Sequence, residues 1–263
     1  MSNLYPEYAA CISDVGRRRE KNEDDFYFEG LIRNDYIDKS YPLTYIAPIF
    51  NGFKKERIQF FSVFDGMGGG DYGEVASHTA AKLTKDILEK GSWLLPYDVS
   101  LSLNRLCETL NKEVFQTAVN LGTHKMGTTM SSLLFYQGYF WVCNVGDSKA
   151  FLIRNNQIYQ ISKDHTDAEE MKLNNITDRK PYVTQYLGID PEETRIEPFI
   201  HSHRIEYHDK FLICSDGLTD MVPKETILKI ICDEDDEAIC AQQLLDAALE
   251  GGGIDNITIM VIQ

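Results

Sequence analysis

Short apolar blocks separated by turn residues dominate the chain. Their richness in Ile, Val, Phe and Tyr predicts strands over Ala9–Val15, Asp25–Glu29, Ile58–Phe64, Thr128–Tyr136, Tyr139–Val145, Ala150–Arg154 and Gln157–Ile161. Further strands are predicted over Glu197–Ile205, Phe211–Cys214 and Asn256–Ile262. YQG (136–138) and RNNQ (154–157), between consecutive blocks, read as hairpin turns. The period changes to that of a helix over Glu74–Lys90 and over Asp98–Asn120, where Leu103, Leu106, Leu110 and Val114 fall on one face. A last helical pair, PKETILKIIC and DEAICAQQLLDAALEG, opens with proline and stops at glycine. Helices thus come in adjacent pairs between runs of sequential strands, without the one-for-one alternation of a parallel sheet. That order predicts an α+β layered sandwich of antiparallel sheets covered by helix pairs.

Length and composition narrow this picture. At 263 residues, with no repeat and no Pro/Ser-rich linker, residues 1–263 are expected to form a single domain. Two stretches read as excursions from it, Gly30–Arg57 and Thr166–Gly188. Against 41 acidic side chains stand 26 basic ones, and the resulting charge of −15 argues against nucleic acid and anionic membranes as partners. The six cysteines form no C-x-x-C, and most lie inside apolar runs, as buried reduced thiols do. With no secretory leader pattern and no apolar run of spanning length, the chain is expected to be soluble and cytoplasmic.

The chemistry concentrates around VFDGMGGGDYGEVAS (63–77). Gly68 to Gly73 satisfies G-x-G-x-x-G, but a dinucleotide fold needs a second strand after the helix, and GSWLLPYD leads here into another helix. Carboxylates carry more weight. Asp65 ends FFSVF and precedes Gly66, and Asp216 follows FLIC by one serine and precedes Gly217. Asp255 stands just before ITIMVI, Asp147 just after FWVCNVG, and Glu23 and Asp24 lie before FYF. Any one D-G reads as a turn. If four such strand ends converge, like charges repel, and hard divalent cations remove that cost. Two Mn²⁺ or Mg²⁺ ions would activate a water for in-line attack at phosphorus.

DVGRRREKNEDDFYF, VFDGMGGGDYGEVAS, MGTTMSSLLF, VCNVGDSKAFLI, KDHT, LICSDGL and GGIDNITIMVI occur in one order from about residue 9 onward. As an ordered set they resemble the motifs of the metal-dependent serine/threonine protein phosphatases, the PPM or type 2C family, and DGMGG resembles its bacterial branch. The resemblance implies a four-layer αββα sandwich, with two antiparallel sheets flanked by pairs of helices. It implies that Asp65 bridges two Mn²⁺ or Mg²⁺ ions, that the Gly66 carbonyl binds one, and that Asp216 and Asp255 complete the other site. Glu23 and Asp24 would hold waters of the centre, Asp24 orienting the attacking one. Asp147 with Asp216 would build a third, weaker site. Arg19 would grip the substrate phosphate with its planar fork, and Asn256 would support the site. The implied substrates are phosphorylated serine/threonine proteins, a Ser/Thr protein kinase among them, acted on by a monomer.

Three departures from the pattern stand out: Met67 where many eukaryotic members carry histidine, Gly70 in place of a histidine, and a short flap between DHT and YLG. The competing readings are a non-catalytic regulator that keeps the fold and a phosphatase of small phosphoesters. His201 and His203 are expected as exposed strand residues lacking a third metal ligand, His165 as structural, and Cys214 as a core thiol.

Overall fold

Alternation along the central strands sends side chains into two different cores, and this fixes the layering. The computed structural model describes residues 5–33, 43–48 (as backbone), 58–67, 72–123 and 126–263. Its strands are β1 (Tyr8–Asp14), β2 (Asp24–Phe28), β3 (Leu31–Ile32), β4 (Leu43–Pro48), β5 (Gln59–Met67), β6 (Gly127–Thr128) and β7 (Met130–Tyr136). They continue as β8 (Tyr139–Val145), β9 (Lys149–Arg154), β10 (Gln157–Gln160), β11 (Phe199–Arg204), β12 (Lys210–Cys214) and β13 (Ile257–Ile262). The helices are α1 (Gly73–Glu89), α2 (Val99–Asn120), α3 (Ala168–Leu173), α4 (Asp216–Thr219), α5 (Lys224–Asp233) and α6 (Glu237–Glu250). One sheet runs β10-β9-β12-β13-β1-β4, and the other runs β11-β8-β7-β5-β2-β3, with β6 continuing the pairing beside the end of β5.

Ala10 and Ile12 of β1, with Ile257, Ile259 and Val261 of β13, pack against α5 and α6. Their neighbours Ala9, Cys11, Met260 and Ile262 face the other sheet, where they meet Phe61, Val63, Leu133 and Phe135. On β5 the alternate residues Phe60 and Phe64 turn outward to α1 and α2. Strands covered on both faces read as unbroken apolar runs, which is why the sequence shows so little polar alternation there. The order of layers is therefore helix pair, sheet, sheet, helix pair, the expected αββα sandwich. Leu103, Leu106, Leu110 and Val114 of α2 are all buried, as their spacing predicts.

The predicted hairpins are present, with Gln137-Gly138 and Asn155-Asn156 all at positive φ, as a two-residue primed turn requires. Elsewhere the structure departs from expectation. β5 does not end at Phe64 but continues through Asp65 and Gly66 to Met67, because Gly66 and Met67 pair with Thr128 and Gly127. The stretch Gly30–Arg57, expected as an excursion, contributes β4 to a sheet by pairing along β1. Pro48 suits an edge position, where a missing N–H breaks no ladder, and β4 is that sheet's edge. Within 166–188 lies the short helix α3, and a single turn, α4, begins at the Asp216-Gly217 pair. Five cysteines are buried, but Cys232 is exposed on α5.

Candidate metal centre

The rim of the sandwich where β2 begins and β1, β5 and β12 end gathers the acidic residues. In the antiparallel pairing of β2 with β5, Asp24 stands directly opposite Asp65, so two carboxylates occupy one cross-strand pair. Like charges so placed repel. The strand holds the pair in place through its backbone. Asp65 N–H donates to Thr129 Oγ1 (3.1 Å), and the Asp65 carbonyl accepts from the Thr129 amide and the Thr128 hydroxyl (2.9 Å each). Gly66 is where β5, the Glu23 backbone and the start of α1 press together. A Cβ there would lie 2.2 Å from the Gly73 carbonyl oxygen and 2.5 Å from that of Glu23, so no side chain fits.

The second half of the site comes from the far end of the chain. After β12, Ser215 donates its hydroxyl to Asp24 Oδ2 (2.7 Å) and accepts from the Thr258 amide (2.9 Å), tying the two sheets together. Asp216 opens α4 one residue later. Asn256 receives the Glu23 amide on Oδ1 (2.8 Å) and donates Nδ2 to the Val15 and Lys21 carbonyls (2.9 Å each). It thereby pins the loop that carries Arg19 and Glu23 against the start of β13. Arg19 Nη2 lies 2.8 Å from Asp255 Oδ2 and Nη1 3.7 Å from Glu23 Oε2.

A cavity of about 1010 Å³ opens at this rim, lined by Arg19, Glu23, Asp65, Asp147, Asp216 and Asp255 among others. Asp24 sits against Asp65 with 1% of its surface exposed. Burial, and then the nearby charges of Asp24, Asp216, Asp147 and Asp255, push the Asp65 carboxyl well above its ordinary range. Burial raises Asp24 to about 7 against the hydrogen bonds from Ser215 and Thr258, with Asp216 and Asp255 adding to the rise. Burial and Asp216 take Asp147 to about 6, against Lys149 and Lys180. Burial likewise raises Glu23 despite Arg19.

These shifts have one origin, several carboxylates in a space too dry to hold their charge unaided. Asp24 Oδ1 and Asp216 Oδ1 are buried with no hydrogen-bond partner. As placed, no three acidic, histidine or cysteine side chains among the described residues enclose a common point. Asp255 leans on Arg19, and Asp216 on Lys180, whose Nζ lies 2.5 Å from its Oδ2. The donors are nevertheless all oxygen, mostly anionic, with two orphaned lone-pair sites pointing nowhere else. That set fits a hard divalent cation such as Mn²⁺ or Mg²⁺.

Every acid singled out in the sequence, with Arg19 and Gly66, therefore lies at one rim, and Asn256 braces it from behind. Sequence reasoning missed Ser215, Thr128 and Thr129, and above all Lys180. It also missed the pair formed by Asp25 and His78, whose Oδ2 and Nδ1 are 2.9 Å apart beneath β2. Only Ser215 had a signal, a lone hydroxyl between the apolar FLIC and Asp216. Met67 lies on the cavity wall. Gly70 lies outside the described residues. His201 and His203 share a face of β11 with their Nε2 atoms 2.8 Å apart. His165 accepts the Gly146 amide on Nδ1 (3.2 Å) and donates its own amide to the Gly146 carbonyl, a structural role. Cys214 is fully buried, its thiol raised to about 12 by desolvation.

The protein phosphatase 2C family profile matches this chain over residues 33–188 and 177–257. A serine/threonine phosphatase, stp, of Listeria innocua is 30% identical over 269 residues, covering 97% of this chain and 95% of that protein. The crystal structure of the serine/threonine phosphatase Stp1 from Staphylococcus aureus superposes with a TM-score of 0.79 at 26% identity, covering 100% of this chain and 96% of that one. The catalytic domain of the phosphatase PstP, crystallised in complex with two manganese ions, shares the fold with a TM-score of 0.68 at 24% identity, over 97% of this chain and 98% of that one.

Proposed function

The chain belongs to the protein phosphatase 2C family, and on that premise we propose that it hydrolyses phosphoserine and phosphothreonine in proteins at the acidic rim. The observation that carries the reading is the set of carboxylates raised by burial and mutual repulsion around two unpartnered oxygens. Asp65, the Gly66 carbonyl, Asp216 and Asp255 would hold two Mn²⁺ or Mg²⁺ ions, with Glu23 around them. Such ions supply a water nucleophile at neutral pH and neutralise the charge of the transferring phosphoryl group.

The chain's own residues do the rest. Arg19 presents a fork of donors at the cavity mouth, and a phosphate would draw it from Asp255. Asp24 has one oxygen fixed by Ser215 and the other unpartnered, so Oδ1 can accept the proton of the attacking water. The Met67 thioether has no proton to give, so it does not protonate the leaving alkoxide. An enzyme of this kind reverses the work of a Ser/Thr protein kinase, which makes such a kinase in its phosphorylated form a natural substrate. We place the protein in the cytoplasm, where five buried reduced thiols are at home, and as a monomer of one domain, its charge of −15 opposing self-association. Among the described residues no helix is long and apolar enough to cross a membrane.

With a phosphothreonine peptide as substrate, activity is expected with Mn²⁺, lost on adding EDTA, and restored by excess Mn²⁺. Hydrolysis indifferent to chelation would overturn the reading. A simple aryl phosphate cleaved with a far higher kcat/KM than the peptide would shift it to small phosphoesters. Arg19→Ala should lower kcat/KM for the peptide by about ten- to a hundredfold, the worth of one lost charge-assisted contact to phosphate. Mn²⁺ binding should be retained in that variant, and no weaker, since Asp255 loses a competing cation, and titration calorimetry beside the kinetics checks both.

A further inference from the structure

We propose that Lys180 is a cation of the metal centre supplied by the protein itself, its ammonium holding the Asp216–Asp220 pair where a third divalent ion would otherwise bind. The inference rests on the two-ion reading above and adds the residue that limits the number of ions. Asp216 and Asp220 lie four residues apart, at the first turn of α4 and at its end, so one turn of helix brings both carboxylates to the same side. Lys180 Nζ stands 2.5 Å from Oδ2 of each. Asp216 is thus divided: Oδ2 is taken by the lysine, while Oδ1 is buried and unpartnered, left over for an ion of the centre. Asp147, across the cavity, feels the same ammonium.

An exposed lysine rarely holds one geometry, but Lys180 is held by its surroundings. The Arg179 guanidinium bonds Asp167 (2.5 Å) and lies over the Tyr182 ring, 4.0 Å from its centre. Asp167 Oδ1 accepts the Tyr182 amide (2.7 Å), and the Asp167 amide donates to the Tyr182 carbonyl (3.1 Å). Thr166 and Val183 close the same neck as an isolated bridge. The segment 166–183 is therefore a loop clamped at its base, with Lys180 projecting from the clamp into the acidic rim. A divalent ion on Asp216 and Asp220 has to evict this ammonium, since both want the same oxygens. Binding of a third ion is then linked to release of the clamped loop, and by reciprocity a loop held shut weakens that ion.

Counting bound Mn²⁺ by electron paramagnetic resonance of the free ion, on the intact protein, tests this without using activity. The parent is expected to bind two ions, Lys180→Met to gain a third at least tenfold tighter than any further binding to the parent, and Lys180→Arg to behave as the parent. Equal stoichiometry and affinity in the parent and Lys180→Met would overturn the proposal, as would a third ion gained by Lys180→Arg alone. Fewer than two ions on the parent would instead overturn the two-ion reading on which it rests.

Discussion

Asp65→Asn should cost at least about a thousandfold in kcat with a phosphopeptide, while the metal-free variant melts at a higher temperature than the metal-free parent at pH 8. The two effects come from one carboxylate. Asp65 stands opposite Asp24 in the β2–β5 register and is pushed upward by burial and by four neighbouring acids. An amide of the same shape removes a charge that the fold opposes, so the apoprotein gains stability. On the proposed two-ion reading the same change would remove an anionic ligand of the metal centre, which would cost several kcal/mol in the transition state, and about 4 kcal/mol is already a thousandfold. Activity falling while stability rises excludes misfolding as the cause. A variant that retained most of its activity, or that melted lower without metal, would contradict the assignment of Asp65 as the bridging residue.

The melting temperature of the metal-free protein is expected to fall between about pH 5 and pH 8, and the increment from Mn²⁺ to grow over the same interval. The sign follows from the direction of the shifts. Asp24 at about 7, Asp147 at about 6, and the raised Asp65 and Glu23 all hold protons in the folded state that an unfolded carboxyl, near 4, has lost. Their contribution is fully present below pH ~4 and is lost as pH rises through the folded values. Glu74, which burial pushes up but which its bond with Lys21, its own backbone amide and nearby cations together bring below the ordinary value, works the other way, but its window lies below pH ~5. Mn²⁺ binds the deprotonated groups, so at pH 5 it competes with protons and at pH 8 it does not. At a hundred times its dissociation constant it adds about 2.7 kcal/mol, roughly 5–10 °C for a chain of this size. Differential scanning fluorimetry with and without Mn²⁺ across the pH series checks this. An increment independent of pH would mean that the raised carboxylates are not the ligands.

Where a carboxylate adjoins the end or the start of an apolar run, the sequence makes the transition visible, and Asp65, Asp216 and Asp255 could be picked out on that ground. Their convergence could not, because it depends on a register, Asp24 against Asp65, that spacing along one chain does not encode. The layering was legible for a simple reason: strands buried on both faces and helices with one apolar stripe leave different periods. The true end of β5 was not legible. Aspartate and glycine disfavour strands, and only pairing with β6 carries the chain through Asp65 and Gly66. β4 was open to discovery from Thr-Tyr-Ile between prolines. Lys180, in DRKPY, looks like any exposed lysine, and only the clamp beside it and the two aspartates 36 and 40 residues on give it a position.

The pairing of β1 with β13 has a consequence for how the protein comes to be made. Ser13 and Thr258, hydrogen-bonded across these strands, are 245 residues apart, and β13 is also the strand that joins β1 to β12. While the chain is being synthesised, at roughly 5–20 residues per second, β2, β5 and β7 can pair early, but β1 waits for its central neighbour. Contacts of such long range fold slowly. Asp255 and Asn256 arrive with that same strand, so an unfinished chain carries Asp24 and Asp65 but can neither brace the Arg19 loop nor complete the acidic rim. If Asp255 serves the centre as proposed, activity would be tied to completion of the sheet, and a fragment ending before β13 is expected to hydrolyse no phosphopeptide.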